Sequence, residues 1–254
     1  MDVRRYALLG VEVDALTLPE LNRLIASAVG GGEHWIIANH NVHSIHLFHH
    51  NEALRRFYAC ARYIHIDGMP LVWMGRALGF PLQRTNRITY VDWTRPLLAE
   101  AERQGWRIFY LGSKPQVVER ARQALRAEYP GLEVELHDGY FDMEPSSENN
   151  REILERIQVQ APHILMVGMG MPRQEHWILE NLPNLSTNVI LDAGACLDYL
   201  AGAVPTPPRW MGRAGLEWLY RLMSEPGRLW KRYLIEPWYV LGLLLRELWH
   251  KYAA

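Results

Sequence analysis

In the stretch Ile66-Asp67-Gly68-Met69-Pro70-Leu71-Val72-Trp73, one carboxylate stands at the end of an apolar run (Tyr63, Ile64, Ile66). A glycine follows it, then a proline suited to the first turn of a helix. An aspartate at a strand's carboxyl end, beside a helix amino terminus, sits where open α/β sheets place their ligands. Asp67 is therefore the candidate catalytic residue. The plainer reading is that Asp67 caps a helix over residues 70–78, and a carboxylate held by helix N–H groups stays ionised.

Two further strand-to-helix turns have the form of phosphate cradles. In Leu111-Gly112-Ser113-Lys114-Pro115 the glycine allows close backbone approach, the helix N–H groups face outward, and Lys114 adds charge. Val167-Gly168-Met169-Gly170-Met171-Pro172-Arg173-Gln174 repeats the arrangement, with Arg173 and Gln174 as polar hooks. Ordinary loop chemistry is the alternative for each. The second turn lacks the third glycine of the dinucleotide fingerprint, which leaves an NAD-linked oxidoreductase as a minor alternative. Asn86-Arg87-Ile88-Thr89-Tyr90-Val91-Asp92 gathers a cation and two hydrogen-bonding side chains, Thr89 and Asp92, before a helix. Arg87 could hold a diphosphate bidentately, or it is an exposed loop arginine with Asp92 as a cap.

His43, His46 and His50 share a helical face, which raises zinc. No carboxylate supplements them inside the helix, and partly exposed helix histidines are the preferred reading. The chain has no Asp-x-Asp to hold a divalent cation against a diphosphate. No metal and no cofactor are expected.

The elements that must position these residues alternate. Tyr6–Val13 reads as a strand, and Thr17-Leu18-Pro19-Glu20 as a capping box opening a helix to about Val29. Then come strand 34–38, helix 42–59, strand 63–66, helix 71–78, and a helix opened by Asp92. A βαβ unit follows: strand 106–111, helix 115–129, strand 132–136. A helix capped by Ser146 or Ser147, strand 163–167, another helix and strand 189–191 complete the body. This alternation predicts an α/β fold, a mainly parallel, Rossmann-like sheet flanked by helices. Pro205-Thr206-Pro207-Pro208 is a rigid break, and everything beyond it reads as a helical C-terminal appendage. The expected units are a body of residues 1–204 and an appendage of residues 205–254.

The appendage differs in chemistry from the body. From Pro205 onward there are eight Lys/Arg against four Glu, although the whole chain of 254 residues has a formal net charge of −1. Five of the ten Trp lie there. Arg209, Arg213 and Arg221 interleave with Trp210, Trp218 and Tyr220, which suits an anionic membrane surface or a helix docked over a diphosphate site. Nucleic acid is disfavoured by the acidic body. Two distant cysteines argue for a reducing, cytoplasmic compartment. No signal-peptide core and no apolar window of roughly 18 residues is present, so no membrane span is expected.

Together these motifs resemble the WecG/TagA/CpsF glycosyltransferases (glycosyltransferase family 26). The resemblance rests on the blocks at 67–73, 87–92 and 109–115, on His137-Asp138-Gly139-Tyr140-Phe141, on 167–175, on Pro208-Arg209-Trp210-Met211, and on Gly215–Leu222 with Glu225-Pro226. It implies a metal-independent, inverting transferase. Such an enzyme moves an N-acetylhexosamine-type sugar from a UDP-sugar donor to a polyprenyl-diphosphate-linked acceptor at the inner face of the cytoplasmic membrane. The family's aspartate, matched by Asp67, acts as general base, and its donor-binding Arg and Gln match Arg87 and Gln174. Many members read Thr-x-Asn where this chain has Asn39-His40-Asn41, which puts sugar specificity in question. A non-catalytic sugar-nucleotide or lipid-binding protein is the competing function, and a homo-oligomer is compatible with the sequence.

Overall fold

The computed structural model describes residues 3–253, with the side chains of Arg209 and Arg213 outside the described set. Eight strands form one sheet: β1 (Arg5–Leu8), β2 (Val11–Asp14), β3 (Trp35–His40), β4 (Ala61–Ile66), β5 (Ile108–Gly112), β6 (Val134–His137), β7 (Ile164–Gly168) and β8 (Val189–Asp192). Their order is β1-β2-β4-β3-β8-β7-β5-β6, and every pairing except β1–β2 is parallel. The body helices are α1 (Leu18–Gly31), α2 (Val42–His50), α3 (Glu52–Cys60), α4 (Met69–Ala77), α5 (Tyr90–Gln104), α6 (Pro115–Glu128), α7 (Glu148–Gln160), α8 (Arg173–Asn181) and α9 (Cys196–Leu200). Beyond the proline break lie α10 (Arg209–Arg213), α11 (Glu217–Ser224), α12 (Pro226–Leu234) and α13 (Glu236–Ala253). The expected α/β class, parallel sheet and helical C-terminal segment are all present.

Alternate residues of each strand enter opposite cores, as the two-residue period requires. Phe109, Leu111, Leu165 and Val167 pack with Phe57, Trp177 and the inner side of α13. Ile108, Tyr110, Ile164 and Met166 pack on the other face with Leu21, Trp93 and Leu97. From β3 the chain leaves toward the first layer, where Ile45 of α2 is buried. From its neighbour β8 it leaves toward the second, where Cys196 and Leu197 are buried. Adjacent strands whose connections part to opposite faces open a crevice at their carboxyl ends.

Three elements differ from the sequence reading. The strand expected over Tyr6–Val13 is a hairpin, because Leu9 (φ 50°) and Gly10 (φ 93°) turn the chain through the left-handed region. The helix expected over 42–59 breaks at Asn51, which is extended and caps α3 by accepting from Leu54 N at 3.0 Å. Thr89, not Asp92, precedes α5, and Asp92 sits in its first turn. The capping box at Thr17 is as expected, with Thr17 N donating to Glu20 Oε2 at 2.8 Å.

Candidate active site

The crevice holds a cavity of about 400 Å³, within the size range of small-molecule sites. The strand end of β3, the turns after the strands and the first turn of α8 contribute Asn39, Asn41, Asp67, Gly170, Gln174 and Gly194 to its lining. The C-terminal helices contribute Glu217, Trp218, Arg221, Arg228, Arg232 and Tyr233.

Asp67 N donates to His40 O at 2.8 Å, extending the β3–β4 pairing past β4 so that the carboxylate emerges at the cavity. It does not cap α4. The residue at the cap position is Gly68, with φ 106° and no side-chain cap bond, which corrects the capping reading. Asn41 caps α2 instead, its Oδ1 accepting from Ser44 N at 3.1 Å. That bond turns its Nδ2 toward Asp67 Oδ2, 3.4 Å away. Burial pushes the Asp67 carboxyl above the usual carboxylate range, with Arg87, Asn41, Arg232 and Arg221 pulling the other way. A raised carboxylate is a stronger base than one held by helix N–H groups.

Behind this wall lie two buried acids that the sequence reading did not single out. Asp192, at the exit of β8, accepts from Asn39 N at 2.9 Å through Oδ1, and its carbonyl accepts from Asn39 Nδ2 at 2.7 Å. Asn39 Oδ1 and Asp192 Oδ2 are left buried without a partner. Gln174 accepts from Gly170 N at 3.1 Å and from Gly194 N at 3.2 Å through one oxygen, so it ties together the loops after β7 and β8. Its Nε2 donates to Glu175 Oε1 at 2.7 Å. Burial raises both acids, and the charge of Glu175 adds to the effect on Asp192. The signal for Asp192 was available: Asp192-Ala193-Gly194 is a strand-end carboxylate near a glycine, as is Asp67-Gly68.

Arg87 stands beside the cavity rather than in its lining. Its Nη1 donates to Asp92 Oδ2 at 2.7 Å and its Nη2 to Glu217 Oε1 at 2.6 Å. Thr89, which does line the cavity, donates to Asp92 Oδ2 at 3.2 Å. The cations facing the cavity come from the C-terminal helices. Arg221 lies over the Tyr199 ring at 5.6 Å, and neither it nor Arg232 pairs with a carboxylate among the described residues. Burial and the nearby Arg221 weaken the hold of Arg232 on its proton. Arg228 and Arg232 were not in the expected set. Arg209 and Arg213 were, and their side chains lie outside the described residues.

The other expected residues are not in the lining. Gly112 and Gly168 pair across β5 and β7, where a Cβ on Gly112 would come within 2.3 Å of Gly168 O. A Cβ on Gly168 would come within 2.0 Å of Tyr110 Oη. Both glycines thus serve close strand packing. Ser113 Oγ donates to Asp198 Oδ2 at 2.8 Å, and Lys114 is exposed. Arg173 donates to Phe141 O at 3.4 Å, in the loop after the edge strand β6. The histidine face of α2 is covered by α13: His43 Nδ1 meets Glu236 Oε2 at 2.6 Å, and the His46 and His50 rings pack on Tyr239. Among the described residues no group of three or more His, Cys, Asp or Glu is placed to hold a metal ion.

A sequence model described as the glycosyl transferase WecG/TagA/CpsF family matches residues 6–254. An N-acetylglucosaminyldiphosphoundecaprenol N-acetyl-beta-D-mannosaminyltransferase of Bacillus spizizenii is 31% identical over 188 residues, 74% of this chain and 70% of that enzyme. A Staphylococcus aureus protein of the same name is 32% identical over 172 residues, 68% of this chain and 63% of the relative. The match thus spans just under two thirds of the Staphylococcus enzyme. A match that runs through both the sheet and the C-terminal helices shows that this chain belongs to the WecG/TagA/CpsF glycosyl transferase family.

Proposed function

We propose that this protein is an inverting, metal-independent glycosyltransferase of cell-surface polysaccharide biosynthesis. It moves an N-acetylhexosamine-type sugar, N-acetylmannosamine or a close relative, from a UDP-sugar to a polyprenyl-diphosphate-linked sugar. The names of the two relatives support the acceptor and the sugar class. The observation that carries the chemistry is Asp67: a raised carboxylate at the cavity wall, facing arginines brought by a separate part of the chain.

In this reading Asp67 removes the proton of an acceptor hydroxyl as that oxygen bonds to the donor's anomeric carbon. The bond from that carbon to the UDP oxygen breaks on the opposite face, so the configuration inverts. Negative charge develops on the leaving diphosphate, and Arg221, Arg228 and Arg232 are the cations at hand to receive it. Asn39 and Gln174, backed by Asp192 and Glu175, form the polar wall against which a sugar is oriented.

The C-terminal segment supplies the reading of location. Trp238, Leu241, Leu245, Trp249 and Tyr252 are exposed and recur at helical spacing along α13, while Val240 and Leu243 on its other side are buried. No helix among the described residues is long and apolar enough to cross a membrane. An apolar stripe with basic neighbours suits a helix lying in the headgroup layer. The protein then works at the inner face of the cell membrane, where its lipid-linked acceptor is held.

The test is a panel of UDP-sugars offered with a short polyprenyl-diphosphate-linked N-acetylglucosamine. UDP release with UDP-N-acetylmannosamine, retained in EDTA, supports the reading. Release with no member of the panel overturns it.

A further inference from the structure

We propose that Glu217 is a positioning residue, which clasps the C-terminal helices over the cavity by holding one edge of the Arg87 guanidinium. Its kinetic consequence rests on the transferase reading above, while the clasp itself stands on geometry. Arg87 is shared between two carboxylates of different origin. Asp92 is five residues away in the same segment, whereas Glu217 opens α11 and lies 130 residues away. The Arg87 and Glu217 side chains are only 11% and 22% exposed, so solvent screens this pair far less than a surface ion pair. Removing the acid leaves Nη2 of a mostly buried cation without its partner.

The chain around the pair is shaped to fit it. A Cβ at Gly212 in α10 would lie 2.5 Å from Glu217 Oε1 and 3.1 Å from Arg87 Nη2. α10 therefore approaches this ion pair closely enough that a methyl group at position 212 would have to displace the Glu217 carboxylate. Glu217 also lines the cavity, four residues before Arg221 on the same helix, so its anchorage fixes where that arginine stands. The clasp reaches the proposed base as well. Among the groups favouring the charged form of Asp67, Arg87 is the largest. The charged groups facing Glu217 among the described residues are Arg87, Asp67 and Asp92; Arg87 attracts it, and the two aspartates repel it.

Glu217→Ala removes the clasp, and Gly212→Ala displaces the Glu217 carboxylate against Arg87 with both charges kept. Hydrogen–deuterium exchange of the full-length protein without ligand reads the clasp directly. The expected result is faster exchange across residues 209–224 in both variants. In the transfer assay kcat/KM falls tenfold or more, with donor KM raised because Arg221 loses its place. Glu217→Gln, which keeps the acceptor oxygen but not the charge, recovers part of the loss. Wild-type exchange in both alanine variants overturns the clasp. Faster exchange with unchanged kcat and KM overturns the positioning role. If the wild-type protein transfers no sugar, the transferase reading fails by itself, and the exchange comparison still decides for or against the clasp.

Discussion

Asn41 presents Nδ2 to Asp67 Oδ2 at 3.4 Å, and it does so because its side-chain oxygen Oδ1 is already taken by Ser44 N at the start of α2. The helix cap thus sets which face of the amide meets the acid. A single long bond from a neutral donor stabilises an anion weakly, and burial outweighs it, so Asp67 holds its proton to a higher pH than an ordinary carboxylate. Asp67→Asn should lower turnover by about 10²–10⁴-fold, the usual loss for a general base. UDP affinity, measured by calorimetry, should stay near wild type, since the cavity's arginines are untouched. Full activity in Asp67→Asn would remove the base assignment.

A second consequence concerns pH and stability. Glu175 is fully buried and its carboxyl is raised from the ordinary 4.5 to about 7. The folded state then binds more protons than the unfolded state between those values. Stability at this group is present below the ordinary carboxylate range and is lost as pH rises toward 7. Wild-type protein should therefore lose stability to urea between pH 5 and pH 8. Glu175→Gln, which cannot ionise, should lose distinctly less over the same interval. Parallel declines in the two proteins would show that Glu175 titrates normally.

What the sequence discloses depends on how local the determining contact is. Asp67 is legible because a strand end and a glycine are written in adjacent residues, whereas Asn41 enters through the family resemblance and its cap on α2 is not read from the sequence. Gly112 and Gly168 are ambiguous for the opposite reason. A glycine at a strand end reads equally as a phosphate cradle or as a close crossing, and the partner that decides lies 56 residues away. Arg232 was missed because the inward face of α12 is fixed only when the helix docks on the body. Leu9 hid the first hairpin, since a leucine at positive φ is a conformation its type does not announce. Asp192 is a different case: its signal is local and of the same kind as that of Asp67, but a four-residue strand gives it little emphasis.

Asn39 is where sugar selection is expected to be set. Its Nδ2 is committed to Asp192 O, which leaves Oδ1 as an unpartnered acceptor in a residue that lines the cavity. Asn39→Thr exchanges that amide for a hydroxyl, the group that the family resemblance implies at this position. The ranking of UDP-sugars by kcat/KM should change, by about 10-fold or more for sugars differing in one hydrogen-bonding group. Unfolding midpoints should be compared in parallel, because the Asp192 contact is lost. An unchanged ranking would mean that the sugar is read elsewhere in the cavity.

The exposed stripe of α13 makes a prediction independent of catalysis. Trp238 and Trp249 are each 72% exposed and lie eleven residues apart, three turns along one side of the helix. Their rings contribute little to the body's core, so replacing both by alanine should leave folding and UDP affinity intact. In the headgroup layer of a bilayer the same rings lose apolar surface to lipid, each worth on the order of 1–3 kcal/mol when fully buried. Flotation of the full-length double variant with vesicles containing anionic lipid should therefore fall by tenfold or more. Raising ionic strength should weaken wild-type binding further, because the exposed Lys231 and Arg246 add an electrostatic share that salt screens. Equal flotation of wild type and variant would assign the stripe to contact with another protein surface instead.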